Sequence, residues 1–482
     1  MPISDRIGGF IKPGYFPLKI PDAPTIGAAS TSEAIGSNAI SIAFTAPSNV
    51  GGGAVTSYEA VATDTVTAAT FTETGSSTPI VISGLSNGQT YTVTVSATNA
   101  YGSSVLSAAS NSATAAVFTG QLWAWGDNTT YGQLGTGNTT DYSSPVQVGA
   151  LTTWKLVAVG GGYGSAPSSF AIKHDGTLWA SGRNNYGQLG QGNTTDRSSP
   201  VQIGALTTWS KLANGNGRYG LSVKTDGTLW AWGQNASGCL GLGNATNYSS
   251  PVQVGALTNW LDVSATYRTT LALKTDGTMW SWGANAYGQL GLGNTTYYSS
   301  PVQIGALTTW SAISIGGWWG MALKTDGTIW MWGANNSGQL GQGNTTVQSS
   351  PVQVGALTTW SKVAGGDTSY GLSGAASAIK TDGTLWMWGA NTEGVLGQGN
   401  TTLYSSPVQV GALTDWAACS PAGNTQALKT DGTLWAWGDN SQGQLGDGST
   451  TSRSSPVQIG AATTWVAIAP GSITKHRWAI RN

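Results

Sequence analysis

The sequence predicts an all-β chain, a ring of seven four-stranded blades preceded by a β-sandwich. Three observations carry that prediction. A tract of the form Leu-Trp-Ala-Trp-Gly recurs seven times between Leu122 and Gly438. Each copy is followed by Ser-Ser-Pro-Val-Gln and then by a solitary Trp. The region before the first copy contains no Trp and alternates apolar with Thr and Ser.

Residues 1–22 come first. Ile7-Gly-Gly-Phe10-Ile and Pro13-Gly-Tyr15-Phe16-Pro-Leu18 form an aromatic peptide broken by Gly and Pro, too short to fold alone. Phe10, Tyr15, Phe16 and Leu18 are costly to leave in water, which makes them candidate docking residues for a larger assembly. The segment has no apolar run of signal-peptide length, and no stretch of the chain reaches the roughly 18 apolar residues of a membrane span.

Residues 23–117 read as a sandwich. Ala39-Ile-Ser-Ile-Ala-Phe44, Ser57-Tyr-Glu-Ala-Val-Ala62 and Thr90-Tyr-Thr-Val-Thr-Val-Ser96 alternate as half-buried strands do. Gly84-Leu85-Ser-Asn-Gly88-Gln-Thr-Tyr91, followed by Val93, Val95, Ala97 and Asn99-Ala-Tyr-Gly102, resembles a fibronectin type III domain with its tyrosine corner at Tyr91. Phe44 stands where that family commonly has a core Trp. The resemblance implies an immunoglobulin-like β-sandwich serving as spacer or adhesive module.

Residues 118–482 hold the repeats. In each unit Val146-Gln-Val, the run after Trp154, Phe170-Ala-Ile-Lys173 and Leu178-Trp-Ala mark four strands in turn. Asp-Gly separates the third from the fourth at Asp175, Asp226, Asp276, Asp326, Asp382 and Asp431, the preferred pair for a two-residue hairpin. Four strands seven times is a seven-bladed β-propeller. Gln121 to Gly126 (121–126) is a fourth strand without the three before it, and 477–482 aligns with a third strand without its successor. Their pairing is expected to close the ring. Twenty of the 23 Trp fall in this frame and read as core, which leaves Trp318, Trp319 and Trp478.

Lys224-Thr-Asp-Gly-Thr-Leu-Trp-Ala-Trp-Gly233, then Asn235 to Gly243 in the pattern Asn-x-x-Gly-x-Leu-Gly-x-Gly, then Ser250-Pro251-Val252, resembles the repeat of the regulator-of-chromosome-condensation family. The resemblance covers about 118–482 and implies a seven-bladed propeller. That family serves as exchange factors, ubiquitin-ligase modules and enzyme inhibitors. The basic tail of its founder is absent, and the acids are mostly turn residues, so exchange activity is not carried over.

Composition excludes more. Twenty Lys+Arg against 21 Asp+Glu, in a chain only 9% charged, offer no basic surface for nucleic acid. Cys239 and Cys419 are too few for a disulfide framework and read as buried or semi-buried thiols. His174 and His476 have no metal-ligand spacing, and the glycine tracts lack a phosphate loop's Lys-Ser/Thr. No metal, no cofactor and no catalytic residues are expected.

Positions that differ between repeats are those the frame does not dictate. One set is the pair before Ser-Ser-Pro, such as Asp141-Tyr142, Asp196-Arg197 and Asn247-Tyr248. The other lies between the second and third strands, where the two longest repeats carry their extra residues. It supplies the candidate ligand-binding residues Tyr163, Arg218, Tyr219, Tyr267, Arg268, Trp318, Trp319, Tyr370 and His476, types that dominate interfaces. Such a rim suits a glycan or a neutral protein surface. Low charge, Thr/Ser/Gly-rich β-domains and a docking peptide resemble exterior proteins of tailed bacteriophages. The expectation is a non-enzymatic virion protein, tail fibre, adhesin or decoration. It would dock on other virion proteins through residues 1–22, recognise a host-surface glycan or protein, and insert in no membrane. Exterior fibres are commonly homo-oligomers. The alternative is an intracellular regulatory propeller gripping a partner protein.

Overall fold

The structure, a computed structural model, describes residues 19–32, 39–86, 88–115, 120–161, 167–369, 373–470 and 475–482. They form two compact units, 1–118 and 119–482. No helix is long and apolar enough to cross a membrane among the described residues.

The first unit is a two-sheet sandwich. Thr25–Ser32, Ala39–Thr45 and Ile80–Ile82 make one sheet, and Thr70–Gly75, Ser57–Asp64, Thr90–Asn99 and Gly102–Ser103 the other, with Ala113–Thr114 paired to Thr90–Asn99. Alternation places Ile40, Ile42, Ala60, Ala62, Tyr91, Val93 and Val95 in the core. Phe44 fills the core position expected of a Trp by packing 4.8 Å from Tyr58. The Tyr91 hydroxyl accepts the Ser86 N–H at 3.0 Å, as a tyrosine corner does.

The second unit is a propeller of seven four-stranded blades among the described residues. Blade 2 shows the pattern, running from an inner strand Trp209–Asn214 through Tyr219–Lys224 and Leu229–Gly233 to an outer strand Tyr248–Gln253. Inner strands of blades 1 to 7 start at Trp154, Trp209, Trp260, Trp310, Trp360, Trp416 and Trp465. Together they line a central channel of about 300 Å³.

The structural blade is offset from the sequence unit by one strand. Ser-Ser-Pro-Val-Gln was expected to open a unit, yet in every blade it lies antiparallel on the Trp-x-x-Gly strand that precedes it. The inner strand has only one partner because its other edge faces the channel, so the third strand offers the free ladder. Blade 7 is therefore closed two and two. Trp465–Ile468 and His476–Arg481 join Gln121–Gly126 and Tyr142–Gln147, with Arg481 opposite Gln121 and His476 opposite Gly126.

The Asp-Gly turn differs from the expected two-residue hairpin. Gly227 N–H bonds Lys224 C=O at 3.0 Å and Lys224 N–H bonds Thr228 C=O at 2.9 Å, so the loop has three residues. Only the Gly is left-handed, at φ +75°, as in a type I turn with a glycine bulge. Asp226 Oδ1 accepts both the N–H (2.9 Å) and the hydroxyl (2.6 Å) of Thr228, whose Oγ1 accepts the Trp230 indole N–H at 2.9 Å. Behind the turn Lys224 Nζ lies 3.7 Å from the Trp230 ring centroid and 4.9 Å from that of Trp209. Trp209 in turn meets Trp230 and Trp232 edge-on at 6.2 and 6.1 Å. Trp232 donates its N–H to Gln188 C=O of blade 1 at 2.9 Å. One repeat thus ties its turn, its blade and its neighbour through three indoles.

Candidate functional site

The loop joining inner and second strands and the loop leaving the third strand emerge at the same end of each blade. The described residues of these loops therefore share one face, called upper here, opposite the Asp-Gly turns.

Over blades 2 to 4 this face carries an arginine–aromatic cluster. The Tyr267 and Trp318 rings are 5.5 Å apart and the Tyr287 and Trp318 rings 5.7 Å. Two guanidinium carbons lie over Tyr267, Arg218 at 5.2 Å and Arg268 at 5.1 Å. Arg218 Nη1 also donates to Gln234 Oε1 at 3.3 Å. All five cluster side chains are half-buried, held in place yet reachable. The upper loops of blades 2 to 4 contain no Asp or Glu, so no carboxylate of those loops accompanies the two cations. Arg183 sits 4.7 Å over Tyr131 where blades 1 and 7 meet.

Four of the candidates read from the sequence, Arg218, Tyr267, Arg268 and Trp318, thus come together. Three others are corrected. Tyr219, Trp319 and His476 are fully buried and are packing residues. Each occupies the first position of a second strand, whose side chain enters the gap to the next blade. The Tyr219 hydroxyl reaches the carbonyls of Thr269 (2.9 Å) and Thr266 (3.0 Å) in blade 3. Trp319 fills the space left by Gly365 and Gly374 of blade 5, where a Cβ would collide with its indole. His476 meets Ser169 of blade 1. Trp478, the third unassigned Trp, is core as well. Variation between repeats at these three positions reflects individually fitted gaps.

The other variable set is largely structural. Asp141, Asp196 and Asn247 cap the backbone N–H of Asn128, Asn184 and Asn235 at 2.6 to 2.8 Å. The Tyr142, Tyr248 and Tyr404 hydroxyls accept from the side-chain amides of Asn138, Asn244 and Asn400 at 3.1 to 3.2 Å. Tyr163, Tyr370 and the docking candidates Phe10, Tyr15, Phe16 and Leu18 lie outside the described residues. Sequence reasoning missed Tyr287 and Gln234. The residue before Gly in the Asn-x-x-Gly loop runs Tyr131, Tyr186, Ser237, Tyr287, Ser337, Glu393, Gln442, a variation as visible as the others.

Little on the channel wall is poised for chemistry. Asp262 has its carboxyl raised by burial, with Lys211 opposing. Burial pushes the Cys419 thiol up to about 12, so it stays protonated. No group of three or more His, Cys, Asp or Glu able to hold a metal occurs among the described residues.

The fold defines a closed, seven-bladed repeat propeller, and a fibronectin type III sandwich precedes it in the chain. The chain belongs to the regulator of chromosome condensation (RCC1) repeat family, whose model matches residues 119–166, 175–217, 226–273, 276–323, 326–370, 382–421 and 431–472. The fibronectin type III model matches 22–113. Among curated relatives it is 33% identical to the ultraviolet-B receptor UVR8 of Arabidopsis thaliana over 27% of this chain and 29% of that protein. It is 34% identical to the human X-linked retinitis pigmentosa GTPase regulator over 30% of this chain and 14% of that protein. The match spans less than a third of either relative. In fold it is similar to human WBSCR16, with a TM-score of 0.65 at 19% identity over 75% of this chain and 99% of that one. It is likewise similar to Prp20p of Saccharomyces cerevisiae, with a TM-score of 0.65 at 17% identity over 76% and 92%.

Proposed function

We propose that the propeller is a non-enzymatic recognition module that grips a protein partner through the upper face of blades 2 to 4, taking acidic side chains of that partner. The observation that carries this reading is Tyr267 beneath two guanidinium groups, with no Asp or Glu in the upper loops of blades 2 to 4. A guanidinium stacked on a ring keeps its N–H edge for a carboxylate, and less rotamer entropy is lost when it binds. Trp318 and Tyr287 supply adjoining apolar area of the kind that anchors interfaces. A curated relative named for GTPase regulation fits a partner-binding propeller.

The test is affinity capture with the full chain and with an Arg218→Glu/Arg268→Glu variant. A stoichiometric partner held by the wild type, released by salt and lost from the variant supports the reading. A partner retained equally by the variant refutes it. A second reading, display on the exterior of a phage particle, is favoured by the joining of an adhesive-type sandwich to a propeller of such low charge. It predicts that the full chain copurifies with particles and binds intact host cells.

A further inference from the structure

The outer part of the ring opens into a groove of about 450 Å³ between blades 1 and 2, and into one of about 640 Å³ between blades 6 and 7. The two are the same site at different places in the ring. Trp230 and Trp123, both half-buried, form equivalent walls, faced by Pro251 and Pro145. Arg197 and Arg453 take equivalent places beside Gln202 and Gln458. Both volumes lie in the range of about 300–1,000 Å³ common for small-molecule sites.

The polar groups are arranged in advance. Arg197 Nε donates to Gln191 Oε1 at 3.1 Å, and Arg453 Nε donates to Asp447 Oδ2 at 3.1 Å, so each guanidinium is tethered by a neighbouring side chain. The indole of Trp230 is fixed from the protein side, its N–H taken by Thr228 and Lys224 lying against its ring. Trp123 is held likewise, its N–H donated to Gln121 Oε1 at 3.3 Å and Arg481 4.9 Å over its ring, so each groove offers a fixed aromatic wall and a planar hydrogen-bonding side.

We propose that these inter-blade grooves are subsites for neutral saccharides, with one hexopyranose ring seated against Trp230 or Trp123 and its hydroxyls on the Arg and Gln side chains. A pyranose has an apolar C–H face and a hydroxyl edge, which match the two sides. A fatty chain would strand the Arg and Gln groups without partners, and a polyanion would meet Asp447 in the second groove. The Trp, the Pro and the Gln recur in all seven repeats, so weak single sites on one polysaccharide would add through effective concentration.

The experiment titrates the full chain calorimetrically with maltohexaose, chitohexaose and a galacto-oligosaccharide. Expected is binding of at least one probe at more than one site per chain. Arg197→Ala/Gln202→Ala and Arg453→Ala/Gln458→Ala should each remove one binding equivalent while both variants still unfold in a single cooperative transition. No binding of any probe overturns the proposal, as does binding that survives both double variants intact. Loss of saccharide binding in Arg218→Ala would move the site to the upper face and equally overturn it.

Discussion

His476 Nε2 lies 2.9 Å from Ser169 Oγ, so the C-terminal strand that closes blade 7 is also joined directly to blade 1. Ser169 Oγ donates to Gln133 C=O at 2.8 Å, which leaves the hydroxyl oxygen to accept from the imidazole N–H. Burial, assisted by the neighbouring Arg477, holds the imidazole neutral down to about 3.

That arrangement sets a pH dependence. The unfolded chain takes up the His476 proton near pH 6.5 and the folded one does not, so stability falls as pH drops from about 6.5 towards 3, by up to about 1.4 kcal/mol per pH unit. Urea unfolding at pH 7 and pH 5 should show the loss. His476→Gln should shrink it; an unchanged difference would remove His476 as its source.

Trp318 and Trp319 are adjacent and should respond oppositely. Trp319→Ala empties a gap between blades 4 and 5 and is expected to cost about 3–5 kcal/mol. Trp318→Ala removes one stacked ring from the surface cluster, about 1 kcal/mol, and should abolish partner capture. Thermal melts alongside capture assays separate the two.

The turn relay makes a third prediction. Thr228→Val leaves both the Trp230 N–H and the Asp226 carboxylate without their hydroxyl partner, an expected loss of about 1–3 kcal/mol. Lys224→Met keeps the volume between the two indoles and deletes the cation, an expected loss of about 0.5–2 kcal/mol. Chemical denaturation of both variants gives the values.

Cys239 is fully buried, and desolvation pushes its thiol up to about 12. In the native protein at pH 8 it should not react with a disulfide reagent, because the thiolate is the nucleophile. In denaturant it should react at the rate of a free thiol. Rapid native labelling at Cys239 would contradict its placement.

Much of this molecule was legible in the sequence because its repeats expose their own frame. Comparing seven copies separated Trp, Gly and Asp-Gly positions from the rest, and the blade count, the closure and the sandwich with Tyr91 at its corner followed. What the copies could not reveal is direction. Trp318 and Trp319 look alike as variable aromatics, and one side chain joins the upper cluster while the next enters the gap between blades, because Trp318 ends the loop and Trp319 opens the strand. Tyr219 and His476 vary for the same hidden reason, each cut to fit one gap. The strand offset has a similar origin, since hydrogen-bond partners are chosen by which edge is free once the ring has formed. The sequence by itself determined the repeat, its turns and its indole frame, all local or periodic features. Only the tertiary structure decided which variable residues reach solvent and that Arg218, Tyr267, Arg268 and Trp318 meet, because those contacts join blades about fifty residues apart in the chain.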